Sequence, residues 1–526
     1  MLSVQLYDTT LRDGAGTEGV SLSVVDKLHI VQKLGELGIH FIEGGWPGSN
    51  PKDAEFFTKA RQLDLAGSVL VAFGSTRHAQ TEVETDTNLL ALVNAGVGAA
   101  TIVGKSSGLQ VTQVLETTLE ENLNMIADSV RYLKAKGLTV FFDAEHFFDG
   151  FKDDSDYSLR CLKAAEEAGA DCLVLCDTNG GALPSEITAA IEAAGKLVRI
   201  PLGIHAHNDG ELAVANTLAA VSAGATQVQG TINGYGERCG NTNLCSIIPA
   251  LKIKMGIDCI TDEQLTRLTE VSHYVSEVAN LAPDAFAPYV GSSAFGHKAG
   301  LHVSGLTKWM DSYQHIDPGR VGNRSRVLVS ELSGKRNIIH KAKELGLDLS
   351  AQGEEVQRLL EQVKLLESRG FQYENAEASF ELLLHRVKPG YQPPFELVDF
   401  MVVVEKRRRA PAQQSVEEML SEAVVKVKVG DKTIHTAAEG NGPVNALDQA
   451  LRKALVQFYP NLVQVKLIDY KVRILEGSAG TGSQIRVLIE FSDGTGEWRT
   501  VGSSTNIIEA SWLALVDSLE YWLLKR

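Results

Sequence analysis

Residues 4–14 read Val4-Gln-Leu-Tyr-Asp-Thr-Thr-Leu-Arg-Asp-Gly14, a short apolar run that ends in one arginine and two aspartates. Charge concentrated at the end of a strand indicates a functional site. A second polar segment, Ile204-His-Ala-His-Asn-Asp209, carries two histidines two positions apart. Residues i and i+2 of an extended strand face the same side, so His205 and His207 point the same way. Such a set is one that a metal ion accepts.

Short β-rich apolar runs alternate with helical stretches from Val4 to about Met255, which is typical of βα units around a parallel sheet. Eight units in about 255 residues predict a (β/α)8 barrel, a TIM barrel. The predicted strands are Val4–Tyr7, His40–Glu43, Ser68–Phe73, Ala99–Val103, Thr139–Asp143, Cys172–Cys176, Leu202–His205 and Gln227–Gly230. The predicted helices include Ser23–Leu37, Val114–Ala135, Ser155–Ala168 and Glu211–Ala223.

Polar residues at the carboxyl ends of barrel strands are candidates for function, because active sites of this fold lie there. Six of the eight predicted strand ends carry such residues, which is hard to ascribe to solvated loops. The sequence therefore predicts one convergent polar site, although any single member can be structural. The residues are Arg12, Asp13, Glu43, Glu145, His146, Asp177, Thr178, His205, His207, Glu237, Arg238 and Asn241.

Asp13, His205 and His207 form a two-histidine, one-carboxylate set. Such a set suits a divalent ion with open coordination positions for substrate and water. Asn241, in Gly236-Glu-Arg-Cys-Gly-Asn241, is a candidate for a further oxygen ligand. The mixed ligands do not identify the metal.

Arg12 can bind a carboxylate or stabilise a developing enolate oxygen beside this set. The alternative for Arg12 is a salt bridge to Asp8 or Glu43. An open metal beside an arginine suits a 2-oxo acid, because its keto oxygen and carboxylate can both bind the ion while the carbonyl carbon becomes electrophilic. The implied reaction class is formation or cleavage of a carbon-carbon bond.

The composition indicates a soluble chain of two or three domains, with 526 residues and a net charge of −16. No apolar run approaches the roughly 20 residues of a membrane span, and no export signal is visible, so we expect a cytoplasmic protein. The acidic balance argues against nucleic acid as a partner, and the basic run Lys406–Arg409 is interpreted as a solvated linker. Six cysteines without paired spacing argue against disulfides and structural zinc.

Three motifs resemble those of one enzyme family. Together they are highly specific for the DRE-TIM metallolyase superfamily, and within it for the 2-isopropylmalate, homocitrate and citramalate synthases. The motifs are Asp8-Thr-Thr-Leu-Arg-Asp-Gly14, His205-Ala-His-Asn-Asp209 and Gly236-Glu-Arg-Cys-Gly-Asn241. A further segment, Ile42-Glu-Gly-Gly-Trp-Pro-Gly-Ser-Asn-Pro-Lys52, most resembles the longer-chain citramalate synthases.

The resemblance implies a Claisen-type condensation of acetyl-CoA with pyruvate, giving (R)-citramalate and free CoA after thioester hydrolysis. Arg12 would be the catalytic arginine, and the ion, which is Mn, Mg, Zn or Co, would be held by the set described above. Glu145 and Thr178 resemble family residues that contact the 2-oxo acid. Glu43 resembles a glutamate that supports the arginine or relays a proton.

Phe295-Gly-His-Lys-Ala-Gly-Leu-His-Val-Ser304 resembles the family segment that completes the acetyl-CoA site after the barrel. His302 is the acid/base candidate there, and Tyr313 is expected to assist it. Two departures stand out: relatives often carry Gln where this chain has Gly16, and an acid where it has Ser304. Neither departure touches a predicted metal ligand.

Three regions are predicted: a catalytic barrel over 1–260, helical connecting subdomains over 261–394 that complete the acetyl-CoA site, and an α+β domain over 395–526. The last region contains an internal duplication, in which Val425–His435 and the helix Pro443–Gln457 are echoed by Ile485–Phe491 and the helix Asn506–Leu524. This duplication predicts a regulatory domain. The resemblance implies that isoleucine binds this domain and inhibits the enzyme. The alternative is a domain that only dimerises. We expect the protein to be a homodimer.

Two other functions stay open at this point. One is a 2-isopropylmalate synthase or related enzyme with another 2-oxo acid, because one methylene changes binding by only about 1–3 kcal/mol. The other is a catalytically impaired relative that senses metabolites without turnover. The intact metal set and Arg12 argue against the second.

Overall fold

The structure is a computed structural model that describes residues 3–298, 300–306, 308–327, 342, 354–373, 376–388, 390–406, 419–475, 480 and 482–525. The chain forms two compact units. The first is Met1–Phe295 with Ile316–Ser325, and the second is Gly296–His315 with Arg326–Arg526. Each unit has a hydrophobic core of its own.

Eight parallel strands of the first unit close into a barrel, as predicted. Every strand pairs with its neighbours in sequence, and the first pairs with the eighth to complete the ring. The predicted strand boundaries differ from the observed ones by two residues at most. The strands are β1 Gln5–Asp8, β2 Phe41–Gly45, β3 Val69–Ser75, β4 Ala99–Lys105, β5 Thr139–Glu145, β6 Cys172–Asp177, β7 Leu202–Ala206 and β8 Gln227–Gly230.

Helices cover the outside of the barrel, so the outward-facing side chains of its strands are buried. The helices between the strands are α1 Val24–Leu37, α2 Pro51–Ala60, α3 Thr87–Asn94, α4 Gly108–Gln113, α5 Leu119–Ala135, α6 Phe147–Asp153, α7 Ser155–Glu167, α8 Pro184–Leu197 and α9 Ala213–Ser222. The helices Leu244–Pro249, Asp262–Leu265 and Leu268–Val278 follow the last strand.

The predicted helix Val114–Ala135 is wrong at its start. Thr118 is the N-cap of α5, because its side chain accepts a hydrogen bond from the backbone N–H of Glu121. The residue Glu116 has φ +51°, which a helix cannot contain. The sequence Thr118-Leu-Glu-Glu121 carries this start signal.

The interior of the barrel is a packed core. Tyr7 lies fully buried at its centre, with its ring centroid 5.7 Å from that of Phe141 in an edge-to-face contact. The Tyr7 hydroxyl donates to Glu43 Oε2 at 2.7 Å and lies 2.6 Å from Thr101 Oγ1. Polar groups of this core therefore already connect β1, β2 and β4 below the carboxyl ends of the strands.

The second unit begins with a two-stranded parallel pair and continues into helices. A hydrophobic cluster that includes Leu359, Val363 and Phe380 packs two of these helices together. The elements are the strands Gly296–His297 and Arg326–Val327, and the helices Gly300–Leu306, Glu354–Ser368 and Glu377–Arg386.

The C-terminal part of the second unit contains the predicted duplication, with two three-stranded antiparallel sheets that are each followed by a helix. The first strand of each sheet was not predicted. Both strands carry a bulge near their start, at Leu397/Asp399 and at Leu467/Asp469, and a bulge interrupts the alternation that marks a strand in sequence. The first half is Glu396–Lys406, Met419–Val429, Lys432–Gly440 and helix Pro443–Leu455; the second is Lys466–Ile474, Ile485–Ser492, Glu497–Ser504 and helix Ile507–Leu524.

Among the described residues, no helix is both long and apolar enough to cross a membrane. The basic run interpreted as a linker lies mostly outside the described residues, since the strand ends at Lys406 and residues 407–409 are not described.

Candidate active site

Asp13, His205 and His207 come together at the carboxyl end of the barrel. Their ligand atoms all lie within 4.8 Å of one another. His205 Nε2 lies 3.2 Å from Asp13 Oδ2 and 3.3 Å from His207 Nε2. The loop after β1 positions the carboxylate, β7 positions His205, and His207 follows directly after the end of β7. Two nitrogens and one oxygen converging in this way are the donor set that a divalent ion takes.

Asn241 lies against this cluster. Its Nδ2 donates to Asp13 Oδ2 at 2.6 Å and lies 3.3 Å from His205 Nε2. Its Oδ1 is buried without a hydrogen-bond partner among the described residues. An orphaned buried oxygen at a cation site fits a metal ligand, because a half-turn of the amide exchanges the two atoms. The role of Asn241 as a fourth ligand stays a prediction.

The charges at the cluster suit cation binding. Burial alone would raise the pKa of Asp13, but Arg12 and His205 outweigh it and hold that pKa well below its usual range. Burial, assisted by the nearby His205, lowers the pKa of His207 to about 4. The carboxylate is therefore ionised and this imidazole neutral at pH 7, which is the state in which both bind metals.

Arg12 is held by Glu43, one of the two ion-pair partners that the sequence left open. Arg12 Nε donates to Glu43 Oε1 at 2.5 Å, and Arg12 Nη1 lies 3.3 Å from Asp13 Oδ1. Its guanidinium carbon lies 3.9 Å from the ring centroid of Phe73. Glu43 is fully buried, and Asp8 accepts instead from the backbone N–H and hydroxyl of Thr10. Glu43 thus positions the arginine from beneath.

A cavity of about 560 Å³ opens above the cluster. It brings together most of the predicted strand-end residues, and it adds apolar and charged groups that the sequence analysis did not single out. The predicted residues that line it are Arg12, Asp13, Glu145, Thr178, His205, His207, Glu237 and Arg238. The additional ones include Trp46, Phe73, Arg77, Val103, Lys105, Met125, Asp143 and Cys176.

Glu145 and Thr178 each contact residues at or after the ends of other strands. Glu145 Oε2 lies 2.5 Å from Lys105 Nζ. Thr178 Oγ1 accepts from the backbone N–H of His146 at 2.8 Å, and its carbonyl accepts from Arg238 Nη2 at 2.8 Å. The cavity wall therefore holds both residues in defined positions.

Gly16, where the chain departs from many relatives, is covered by Glu237. A Cβ atom at Gly16 would lie 3.0 Å from Glu237 Cγ. Glu237 also lines the cavity. A carboxylate from the loop after β8 therefore occupies the space beside Gly16.

His302 and Tyr313 belong to the second unit. Their rings stack with centroids 4.3 Å apart and an interplanar angle of 21°. The ring of His297 lies 6.4 Å from that of His302. The two residues are brought together as a pair, and their catalytic role stays a prediction.

Three families match successive parts of the chain. The HMGL-like family matches residues 3–275, which is about half of the chain. A domain described as homocitrate synthase post-HMGL domain-like matches residues 289–370. The LeuA allosteric (dimerisation) domain matches residues 374–523.

The chain is 54% identical over 525 residues to the (R)-citramalate synthase of Geobacter sulfurreducens, an alignment that covers 100% of this chain and 98% of that protein. It is 51% identical to the (R)-citramalate synthase of Aquifex aeolicus, covering 99% and 98%. The chain belongs to the (R)-citramalate synthase family. A 2-isopropylmalate synthase of Methanocaldococcus jannaschii is 29% identical, covering 99% and 95%. The predicted family and the prediction of an enzyme are confirmed.

The site of this family member contains buried residues that sequence reasoning missed. Asp143 and Glu145 stand at i and i+2 of β5 and both line the cavity, so the alternation of β5 was a usable signal. Burial raises the pKa of Asp143 to about 7. Lys105 ends β4 and Trp46 follows β2, and nothing in the sequence alone places their side chains toward the cluster.

Proposed function

We propose that this chain condenses acetyl-CoA with pyruvate and releases (R)-citramalate and CoA. The observation that carries the proposal is the cavity in which Arg12 lies beside the cluster of Asp13, His205 and His207. Two relatives support the same acceptor, because the chain is 54% and 51% identical to those (R)-citramalate synthases and 29% identical to the 2-isopropylmalate synthase.

Asp13, His205 and His207 would hold the divalent ion, with Asn241 as a further ligand after its amide turns. A divalent ion bound there supplies polarisation of the keto group of the 2-oxo acid. The ligand set does not choose among Mn, Mg, Zn and Co.

The proposed reaction forms one carbon-carbon bond and breaks one carbon-sulfur bond. A base removes a proton from the acetyl methyl group, whose carbon then bonds to C2 of pyruvate while the electron pair of the keto bond moves to oxygen. Arg12 donates N–H groups to that oxygen and stabilises its charge. The oxygen takes up a proton, and water then cleaves the thioester so that CoA leaves as the thiol.

Other side chains have proposed roles in this reaction. Glu145 and Thr178 line the cavity, and we assign them to contacts with the 2-oxo acid. His302 is the proposed acid/base for acetyl-CoA, and the stacked ring of Tyr313 holds its orientation. Glu43 keeps Arg12 in place through the Nε hydrogen bond.

The test is thiol release from acetyl-CoA with pyruvate and a divalent ion, followed by chiral separation of the product. We expect one equivalent of (R)-citramalate for each CoA released. Release of CoA without citramalate contradicts the proposed condensation. No CoA release with any 2-oxo acid would favour the metabolite-sensing alternative.

Trp46 and Phe73 form an aromatic wall next to Arg12. Their ring centroids lie 5.3 Å apart at an interplanar angle of 80°. Trp46 Nε1 donates to Asn88 Oδ1 at 2.8 Å, and the backbone N–H of Trp46 donates to Asp53 Oδ2 at 3.0 Å. A wall fixed at two points beside the residue that binds the acceptor would limit the size of the acceptor side chain.

Trp46→Ala is expected to raise the ratio of kcat/KM for 2-oxoisovalerate to that for pyruvate by about tenfold or more, given about 1–3 kcal/mol per methylene. Trp46→Phe keeps an aromatic wall and should change the ratio little. Both values come from the thiol-release assay. A changed KM for acetyl-CoA with an unchanged acceptor ratio would place the thioester, not the 2-oxo acid, against this wall.

We propose isoleucine as an inhibitor that binds the C-terminal domain. The match to an allosteric domain and the duplicated sheets support a regulatory role. Isoleucine is expected to lower CoA release by the full-length chain, whereas leucine at the same concentration leaves it unchanged. Inhibition by leucine, or by neither amino acid, contradicts this assignment.

A homodimer and a cytoplasmic location are also proposed. The first strand of each C-terminal sheet exposes apolar side chains, among them Met401 at 56% and Ile474 at 59% exposure. Exposed apolar patches of this kind mark interaction surfaces. The matched domain is described as dimerising, which supports pairing of two copies.

A further inference from the structure

Gln229 of β8 connects the metal cluster to a buried carboxylate of β5. His205 Nδ1 lies 2.8 Å from Gln229 Oε1. On the other side, Gln229 Nε2 donates to Asp143 Oδ1 at 3.0 Å. Gln229 is fully buried and Asp143 is 3% exposed. The three residues are therefore linked by hydrogen bonds from β7 through β8 to β5.

The donors and acceptors of these two hydrogen bonds can be assigned by starting at Asp143. Asp143 Oδ1 accepts from Gln229 Nε2, so the NH2 group of Gln229 is turned toward Asp143. Burial raises the pKa of Asp143 to about 7, whereas Arg12 and the hydrogen bond from Gln229 oppose that rise and favour the ionised form. The oxygen of the Gln229 amide consequently faces His205. An amide oxygen only accepts, so His205 carries a proton on Nδ1.

The other ring nitrogen of His205 faces the cluster, 3.2 Å from Asp13 Oδ2 and 3.3 Å from His207 Nε2. A neutral histidine with its proton on Nδ1 has its lone pair on Nε2. We propose that Gln229 and Asp143 are positioning residues that fix the Nδ1–H tautomer of His205 and thereby set the affinity of the cluster for its divalent ion. This inference rests on the proposed metal site.

The first test compares two leucine variants on the same strand. Gln229→Leu removes the acceptor from His205, and Co²⁺ titration of the metal-free full-length chain should show a Kd about 10–100-fold weaker than that of the wild type. Gln227→Leu is the matched control. Gln227 lies two residues earlier, is also fully buried, and its amide has no hydrogen-bond partner among the described residues. Its Kd should equal the wild-type value.

The second test exchanges donor and acceptor. In the double variant Gln229→Glu/Asp143→Asn, the amide at 143 donates to the carboxylate at 229, which still accepts from His205. We expect it to bind Co²⁺ more tightly than Asp143→Asn alone, where two amides leave the direction undefined. The absorption spectrum of bound Co²⁺ should match that of the wild type in the double variant, which a loss of folding would not produce.

Two outcomes overturn the inference while leaving the metal site intact: a wild-type Kd in Gln229→Leu, or a double variant that binds no more tightly than Asp143→Asn. A wild-type chain that takes up no Co²⁺ overturns the proposed metal site itself, and the inference with it.

Discussion

His205→Ala is expected to abolish metal-dependent turnover. The His205 side chain is buried, and its Nε2 lies within 3.3 Å of atoms of both Asp13 and His207. Its loss leaves two of three ligands. Polarisation by a bound ion contributes several kcal/mol to the transition state, and about 4 kcal/mol corresponds to about 10³-fold in kcat. CoA release under saturating Mn²⁺, Mg²⁺, Zn²⁺ or Co²⁺ measures the effect.

The matched control is His29→Ala. His29 lies on the exposed face of α1, so the loss of this imidazole should leave kcat and bound metal at wild-type values. Metal content measured by mass spectrometry should fall in His205→Ala alone. Wild-type turnover of His205→Ala would refute the assignment of this residue as a ligand.

Arg12→Gln is expected to lower kcat by about 10²–10³-fold, the usual cost of losing one donor to a developing oxyanion. Arg12 lies between Asp13 and the ring of Phe73, and it lines the cavity. The glutamine keeps a hydrogen-bonding side chain but cannot bring a positive charge to the keto oxygen. KM for pyruvate and kcat from the thiol-release assay separate weaker binding from slower chemistry.

A loss of stability has to be distinguished from a loss of catalysis in Arg12→Gln, because the fully buried Glu43 loses its ion-pair partner in this variant. Breaking such a pair costs about 3–5 kcal/mol. Arg12→Lys keeps a positive charge near Glu43 and should retain more of the wild-type Tm. Its kcat should stay reduced, because an ammonium group does not reproduce the planar donor geometry of arginine. A wild-type kcat in Arg12→Gln would contradict the proposed role of the arginine.

The barrel could be predicted from sequence because most of its strands are short apolar runs that alternate with helical stretches. The polar residues directly after these runs, such as Asp13 and His207, could be predicted to converge for the same reason, since all eight strands end at one rim. The position of Glu43 beneath Arg12 follows less directly. The sequence allows Arg12 to form an ion pair with either Asp8 or Glu43, and only the structure shows that the partner is Glu43.

Other features depend on contacts that no local pattern records. Lys105 meets Glu145 because β4 and β5 are in register at their ends, and Trp46 reaches the cavity because its loop is held by Asn88. The first strands of the two C-terminal sheets were missed because bulges break their alternation and much of their apolar surface is exposed.

The most direct test of the proposed function is the acceptor preference of the full-length chain with acetyl-CoA and a divalent ion. Thiol release is followed with pyruvate, 2-oxobutyrate, 2-oxoisovalerate and 2-oxoglutarate. The proposed function predicts the highest kcat/KM for pyruvate, with (R)-citramalate as the product. A higher kcat/KM for 2-oxoisovalerate would contradict it.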